Sequence, residues 1–382
     1  EIPLDVDWIN RFLGIEVSRD AMIATLLSLE FKMNGDKVVV PSFRADVKHK
    51  ADLAEEVARY YGYNNIPSTS IQGACYGSVT AKQKLERLAI GTLLSEGMNE
   101  VCTYTFISPK AFDKVRIPAD SPLRRTVTIL NPLGEDTSVM RTCVYPSMME
   151  VLARNYNNRN ASASLFELGR EYIPAETPDQ LPEEKQVLAL GMYGEQFDYY
   201  SIKGAVDALL DAFGIRDIDV EAVTDHPTFH PGRCAAVSKN GTPIALLGEV
   251  HPAVCQNYAL GARAYLARID FSVLGALTDA GRRAYRPLPR FPASTRDMAL
   301  LCSDTLPVLT IEKAVRSAVG EILESVELFD HYKGAQIPQG KKSLAFALVM
   351  RAADRTLTDA EVGAAMERAL SSVTALGAEL RA

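Results

Sequence analysis

The chain has 382 residues, a net charge of −7, and 47% hydrophobic against 23% charged residues, which suits two or three soluble compact domains and excludes a disordered chain or a coiled coil. Affinity for phosphate chains comes from clustered Lys and Arg, so this acidic balance excludes a general nucleic-acid coat and leaves only local RNA contacts. No run approaches the roughly 18 apolar residues of a membrane span, the start carries no signal-peptide pattern, and six scattered cysteines without a Cys-x-x-Cys pair read as reduced thiols of a cytoplasmic protein.

In chain order, Trp8, Ile9, Phe12 and Leu13 recur at helical spacing up to Gly14, and a second helix begins after Ser18 and carries Ile23, Leu26 and Leu27. Phe31 to Val40 reads as a hairpin turning at Asn34-Gly35-Asp36. A third helix is predicted from Asp52 to its stop at Gly62. Lys82 to Glu96 is again helical, with Gly97 as the stop.

Val101 to Phe106, Ser164 to Tyr172, Val187 to Tyr193 and Ala235 to Val250 read as strands, the last folding back at Asn240-Gly241; Ser201 to Phe213 reads as a helix. Antiparallel strands interrupted by helices argue an α+β layer structure. After the proline-rich run ending at Pro292, the order is strand (Arg296 to Cys302), helix (Ile311 to Val319), strand (Ser325 to Asp330), strand (Ser343 to Met350), helix (Thr358 to Leu370) and a short strand near Glu379. That βαββαβ order is the ferredoxin-like split motif.

Four carboxylates, Asp46, Asp52, Glu55 and Glu56, gather near one helix start. They suit a hard divalent cation, and equally they suit capping and the helix dipole. His226, His230 and Cys234 superficially resemble a zinc cluster, but Pro227 and Pro231 deny the helical alignment of ligands. These histidines, with His251 before Pro252, are expected to hydrogen-bond local backbone.

Neither a Gly-x-x-x-x-Gly-Lys phosphate loop nor a strand-linked Gly-x-Gly-x-x-Gly occurs. Asn131 to Ser138 reads equally as a binding loop and as turn chemistry. Between Asp279 and Asp297 no acid occurs, whereas Arg282, Arg283, Arg286, Arg290 and Arg296 do. Lys333, Lys341 and Lys342 flank a hairpin and, with Tyr332, suit an RNA backbone and a stacked base; they also suit a solvated face.

Pro41-Ser-Phe-Arg-Ala-Asp46 and the run from Asp52 to Pro67 resemble the B5 domain of bacterial phenylalanyl-tRNA synthetase β subunits. Leu130 to Arg141 and Leu165 to Arg170 resemble the catalytic-like core of that family. Arg290 to Leu300, Leu328 to Tyr332 and Arg355 to Asp359 resemble its ferredoxin-fold anticodon-binding domain.

The resemblance covers essentially the whole chain. It implies a small winged-helix-like B5 domain over 1–72, a non-catalytic class II synthetase-like antiparallel core over 75–280 and a ferredoxin-like anticodon domain over 288–382. It further implies an (αβ)₂ heterotetramer in which the α subunit uses ATP to join phenylalanine to tRNA(Phe), while β supports it and positions the tRNA. Asp46, Asp52, Glu55 and Glu56 are then expected to hold Mg²⁺ in association with the α subunit. Arg290, Arg296, Tyr332, Lys333, Lys341 and Lys342 are expected to meet tRNA.

No catalytic residue is expected, because Arg170 sits where working members present an ATP-binding Arg but no Gly-x-Gly-x-Glu-Arg follows. The chain opens on Glu1, and the family's N-terminal tRNA-binding and editing domains are expected upstream of it. The alternatives are a standalone class II-like ATP-dependent ligase and an RNA-binding or assembly module derived from the fold.

Overall fold

Asp5 starts the first helix, α1 (Val6–Leu13), by accepting from the Trp8 N–H at 3.2 Å, and Gly14 ends it at φ +69°, a left-handed turn that a side chain disfavours. Ser18 caps α2 (Arg19–Ser28) through the Ala21 N–H at 3.3 Å. The short strand β1 (Ile2–Pro3) pairs with β3 (Lys37–Val39), which turns back from β2 (Lys32–Asn34) across Gly35. The third helix, α3, runs over Lys50–Tyr61, two residues ahead of the expected start. Its N-cap is His49, and Asp52 stands in the first turn accepting from the His49 and Lys48 N–H groups at 2.7 Å each. Ile9, Met22, Leu26, Val38 and Leu53 meet in the core of this unit with no exposed surface. Each such side chain contributes about 1.5–3 kcal/mol.

This computed structural model describes residues 1–70, 73, 76–177, 180–278, 287–334 and 336–381. The chain divides into two compact units, Glu1–Ser78 and Val79–Ala382.

The second unit opens on α4 (Ala81–Ser95), with the Thr80–Gln83 capping box at its start and Gly97 just past its end. A seven-stranded sheet is built from β4 (Asn99–Glu100), β7 (Ala163–Ile173), β8 (Glu183–Tyr193), β9 (Asp219–Ala222), β10 (Phe229–Lys239), β11 (Thr242–Val250) and β12 (Ala264–Asp270). Its spatial order is β4-β7-β8-β12-β11-β10-β9, antiparallel throughout except for β4 beside β7. Between β4 and β7 lie β5 (Phe106–Ile107), α5 (Ala111–Lys114), β6 (Val139–Met140) and α6 (Tyr145–Asn157).

Met148, Met149 and Leu152 of α6 fill one face of the sheet. On the other face lie α4, α7 (Tyr199–Ala212) and α9 (Phe271–Leu277), while α8 (Pro252–Asn257) joins the α6 side. Glycine at 191 lets α6 approach: a Cβ there would stand 2.6 Å from Met148 Cγ and 3.0 Å from Leu152 Cδ1. The predicted strand from Val101 to Phe106 is a correction. Only Phe106–Ile107 pairs in a ladder, because the Thr103 N–H and hydroxyl turn to the Glu167 carboxylate at 3.2 and 2.8 Å instead.

The C-terminal half of this unit holds a four-stranded antiparallel sheet ordered β14 (Leu323–Tyr332), β15 (Lys341–Met350), β13 (Ser294–Ser303), β16 (Glu379–Leu380). The helices α10 (Val308–Val319) and α11 (Asp359–Thr374) cover one face, and Met298, Leu300, Ile311, Phe346, Leu348 and Ala365 form the core between them. This is the expected ferredoxin-like order. The fold class is α+β in several parts, with antiparallel sheets and a ferredoxin-fold domain. Among the described residues no helix is long and apolar enough to cross a membrane.

Candidate functional site

The four expected metal carboxylates have unequal surroundings. Arg44 donates to both oxygens of Asp46, at 2.7 Å from Nη2 and 3.1 Å from Nε, and also to Glu56 Oε1 at 2.7 Å. Arg59 holds the other Glu56 oxygen. Burial opposes ionisation of Glu56, yet the two guanidinium groups outweigh it and keep the carboxyl below its ordinary value. Hydrogen bonds from Arg44 lower Asp46 likewise, and the backbone amides of residues 48 and 49 lower Asp52. Glu55 is exposed.

Oxygen donors of this kind are what Mg²⁺ takes, and Asp46 and Asp52 lie within electrostatic reach of one another, so the cluster fits the ion in chemistry. In arrangement it is incomplete. Arg44 stands between Asp46 and Glu56, and among the described residues no three His, Cys, Asp or Glu side chains converge closely enough to hold an ion by themselves.

In the large sheet, Arg170 pairs with Glu184 at 2.5 Å across neighbouring strands. The more deeply placed cation is Arg141, which has no exposed surface and bonds Glu167. The three histidines act as expected. His226, His230 and His251 each accept at Nδ1 from the N–H two residues on, at 3.3, 3.1 and 3.1 Å. A His-Pro step favours this contact because the proline supplies no N–H of its own and fixes the turn.

The expected tRNA residues fall at two ends of the four-stranded sheet. Arg296 opens β13 opposite Leu348, whereas Lys341 and Lys342 pair with Ser303 and Cys302 at its far end. Six or seven strand residues separate the two groups, roughly 20 Å. Arg290 is exposed, and Arg282, Arg283 and Arg286 lie outside the described residues. Arg296 approaches Asp359 at 3.6 Å, Lys333 pairs with Asp304, and Lys341 approaches Glu379 at 3.7 Å.

The face of this sheet opposite its helices carries Ala299, Ala345 and Ala347 as a low floor. Asp297 and Glu327 flank Ala347 from either side, and Asp330 lies opposite Ala345. Tyr332 stands on the same face opposite Ser343. Arg381, which sequence reading missed, donates to Ser343 Oγ at 3.1 Å and lies 6.0 Å from the Tyr332 ring centre. The period-two alternation of exposed Asp297 with buried Met298 and Leu300 was the available signal for the acidic members.

Residues 66–271 match the family model described as the phenylalanyl tRNA synthetase beta chain CLM domain. Residues 289–381 match the ferredoxin-fold anticodon binding domain, and residues 2–63 the tRNA synthetase B5 domain. Over its full length the chain is 45% identical to the phenylalanine–tRNA ligase beta subunit of Clostridium acetobutylicum and 46% identical to that of Clostridium tetani, covering 48% of each. The chain therefore spans about half the length of the curated relatives it matches. Among solved structures, a pyrrolysyl-tRNA synthetase from Desulfitobacterium hafniense aligns with a TM-score of 0.44 at 19% identity, over 55% of this chain and 74% of that one.

Proposed function

Because the chain belongs to the phenylalanyl-tRNA synthetase β-chain family, we propose that it is the B5, core and anticodon-binding portion of such a subunit. It supports a catalytic α subunit and positions tRNA(Phe) for ATP-dependent aminoacylation in the cytoplasm. The three parts are read as residues 1–72, 75–280 and 288–382, working within an (αβ)₂ assembly.

The observation that carries this reading is the state of the large sheet. One face is filled by α6, with Met148 and Leu152 pressed onto Gly191. Arg170, the cation in the suggestive position, is neutralised by Glu184. Adenylate formation needs preorganised cations free to meet charge developing on phosphates. A face closed by α6 and, on the opposite face, an Arg170 already paired with Glu184 support the reading of a scaffold whose chemistry belongs to the α subunit.

In the ferredoxin-like part, Tyr332 stacks a base and Arg381 steadies it. The carboxylates of Asp297, Glu327 and Asp330 repel phosphates and accept hydrogen bonds from base edges, so this face reads bases while Lys341 on the same face, and Arg290, Arg296 and Lys342 at the ends of the sheet, meet the backbone. In the B5 part, Asp46, Asp52, Glu55 and Glu56 would hold Mg²⁺, which neutralises clustered carboxylates where a partner chain packs. The convergence of only part of a donor set supports a site completed by the α subunit.

The test is co-purification of the chain with the α subunit of a relative, followed by filter binding of tRNA(Phe). The complex is expected to bind tRNA, and Tyr332→Ala to weaken that binding by about 1–3 kcal/mol without loss of α. Failure to associate with α, or tRNA binding indifferent to Tyr332→Ala, overturns the reading. Mg²⁺ titration of the complex against Glu55→Gln tests the ion separately.

A further inference from the structure

A cavity of about 750 Å³ opens between α5, α6 and the segment 102–108. From α6 it takes Ser147, Glu150, Val151 and Arg154, which share one face of the helix at spacings of three, four and seven. An unpaired hydroxyl in its wall singles it out. Ser147 Oγ and the Tyr258 hydroxyl are the buried side-chain polar atoms that have no hydrogen-bond partner among the described residues. Their residues are 3% and 7% exposed. Ser147 lines the cavity, and the Tyr258 ring lies 5.4 Å from Lys114 Nζ, itself a lining residue. Buried hydroxyls are nearly always paired, so the orphan Ser147 hydroxyl in the wall of this space marks a place built for something polar.

The charges around that space say what kind. Lys110 is already satisfied by Glu135 at 2.8 Å. The remaining lining charges are Lys114 and Arg154 on one side of the balance and Glu150 and Asp136 on the other. The ammonium of Lys114, the guanidinium of Arg154 and the carboxylate of Asp136 all lie within electrostatic reach of Glu150. A phosphate dianion placed here meets two carboxylates, and a simple cation meets two bases. A zwitterion meets both pairs favourably. Tyr104, 82% exposed, and Phe106, 41% exposed, form an aromatic lip with Val151 behind it, which suits an apolar side chain.

We propose that this cavity binds a free α-amino acid with an apolar side chain, its ammonium facing Glu150 and Asp136 and its carboxylate facing Lys114, Arg154 and the Ser147 hydroxyl. The inference rests on the cavity alone and does not require the α subunit.

Isothermal titration of the 382-residue chain with L-phenylalanine and L-leucine tests it, beside 3-phenylpropionate, which lacks the ammonium, 2-phenylethylamine, which lacks the carboxylate, and AMP. Amino-acid binding at millimolar concentration or below is expected, with each control at least about tenfold weaker. Glu150→Gln and Arg154→Ala should each weaken binding by about tenfold or more while the melting temperature stays that of the parent. No amino-acid binding up to about 10 mM, equal binding of a control or of AMP, or binding indifferent to both substitutions overturns the proposal. Loss of binding accompanied by a lower melting temperature in both variants also counts against it, since that outcome belongs to damage to the fold.

Discussion

Arg141 lays a fully buried guanidinium against Glu167, donating from Nη2 to Oε1 at 3.1 Å and from Nη1 to Oε2 at 3.3 Å. Nη1 also donates to Thr103 Oγ1 at 2.7 Å, and Nε to the Arg170 carbonyl at 2.8 Å. The hydroxyl of Thr103 in turn donates to Glu167 Oε2 at 2.8 Å. Two buried charges and a hydroxyl thus satisfy one another and tie the sheet-edge segment, the approach to α6 and β7 into one body. Removing one member of such a pair strands the other without water.

Arg141→Met is therefore expected to destabilise the core by about 3–5 kcal/mol, and the double substitution R141M/E167L to recover most of that loss. Urea unfolding of the three chains measures it. A cost below about 1 kcal/mol for Arg141→Met, the range of exposed ion pairs, would show that the pair contributes little to holding the core.

Burial pushes the thiols of Cys143 and Cys234 up to about 12 and that of Cys255 up to about 11. Only the thiolate is alkylated, and at pH 8 on the order of one in a thousand to one in ten thousand of such thiols is ionised. Cys102 is exposed. Iodoacetamide at pH 8 should label Cys102 in the native protein and reach the other three only after denaturation, as read by peptide mass spectrometry. Labelling of Cys234 at the rate of Cys102 would contradict this.

Glu361 accepts from the Thr358 N–H at 2.8 Å, from Arg355 Nη2 at 2.8 Å and from the Thr358 hydroxyl at 2.9 Å, which together hold its carboxyl down at about 2 against an ordinary 4.5. A folded-state value below the unfolded one contributes stability above about pH 4.5, and that contribution is lost as pH falls toward 2. The ferredoxin-like part should lose melting temperature over this window, and Glu361→Gln should flatten the loss. An unchanged acid profile in the variant would place the sensitivity elsewhere.

Local signals were the legible part of the sequence. Gly14, Ser18, Gly35, Gly62 and Gly97 punctuate the chain where their φ angles or hydroxyls demand it, and the βαββαβ order follows from hydrophobic periods of two and 3.6. The histidine contacts were legible for the same reason, since each spans two residues. Pairs distant in the chain were not. Arg141 and Glu167 stand 26 residues apart, and Tyr332 and Arg381 are joined only by the register of β14, β15, β13 and β16. The segment 101–105 has the composition of a strand, and only the Glu167 carboxylate reaching its backbone explains why it forms no ladder there. In the carboxylate cluster, residue types were readable while Arg44, the cation between them, was visible only in three dimensions.

The central claim is that this chain supports a synthetase without performing its chemistry. Phenylalanine-dependent ATP–pyrophosphate exchange, measured for the purified 382-residue chain alone and mixed with the α subunit of a relative, tests it most directly. The chain alone should give no exchange above background, and the mixture should give exchange. Exchange by the chain alone that survives purification and disappears on Arg170→Ala would contradict the claim and make the chain a ligase in its own right.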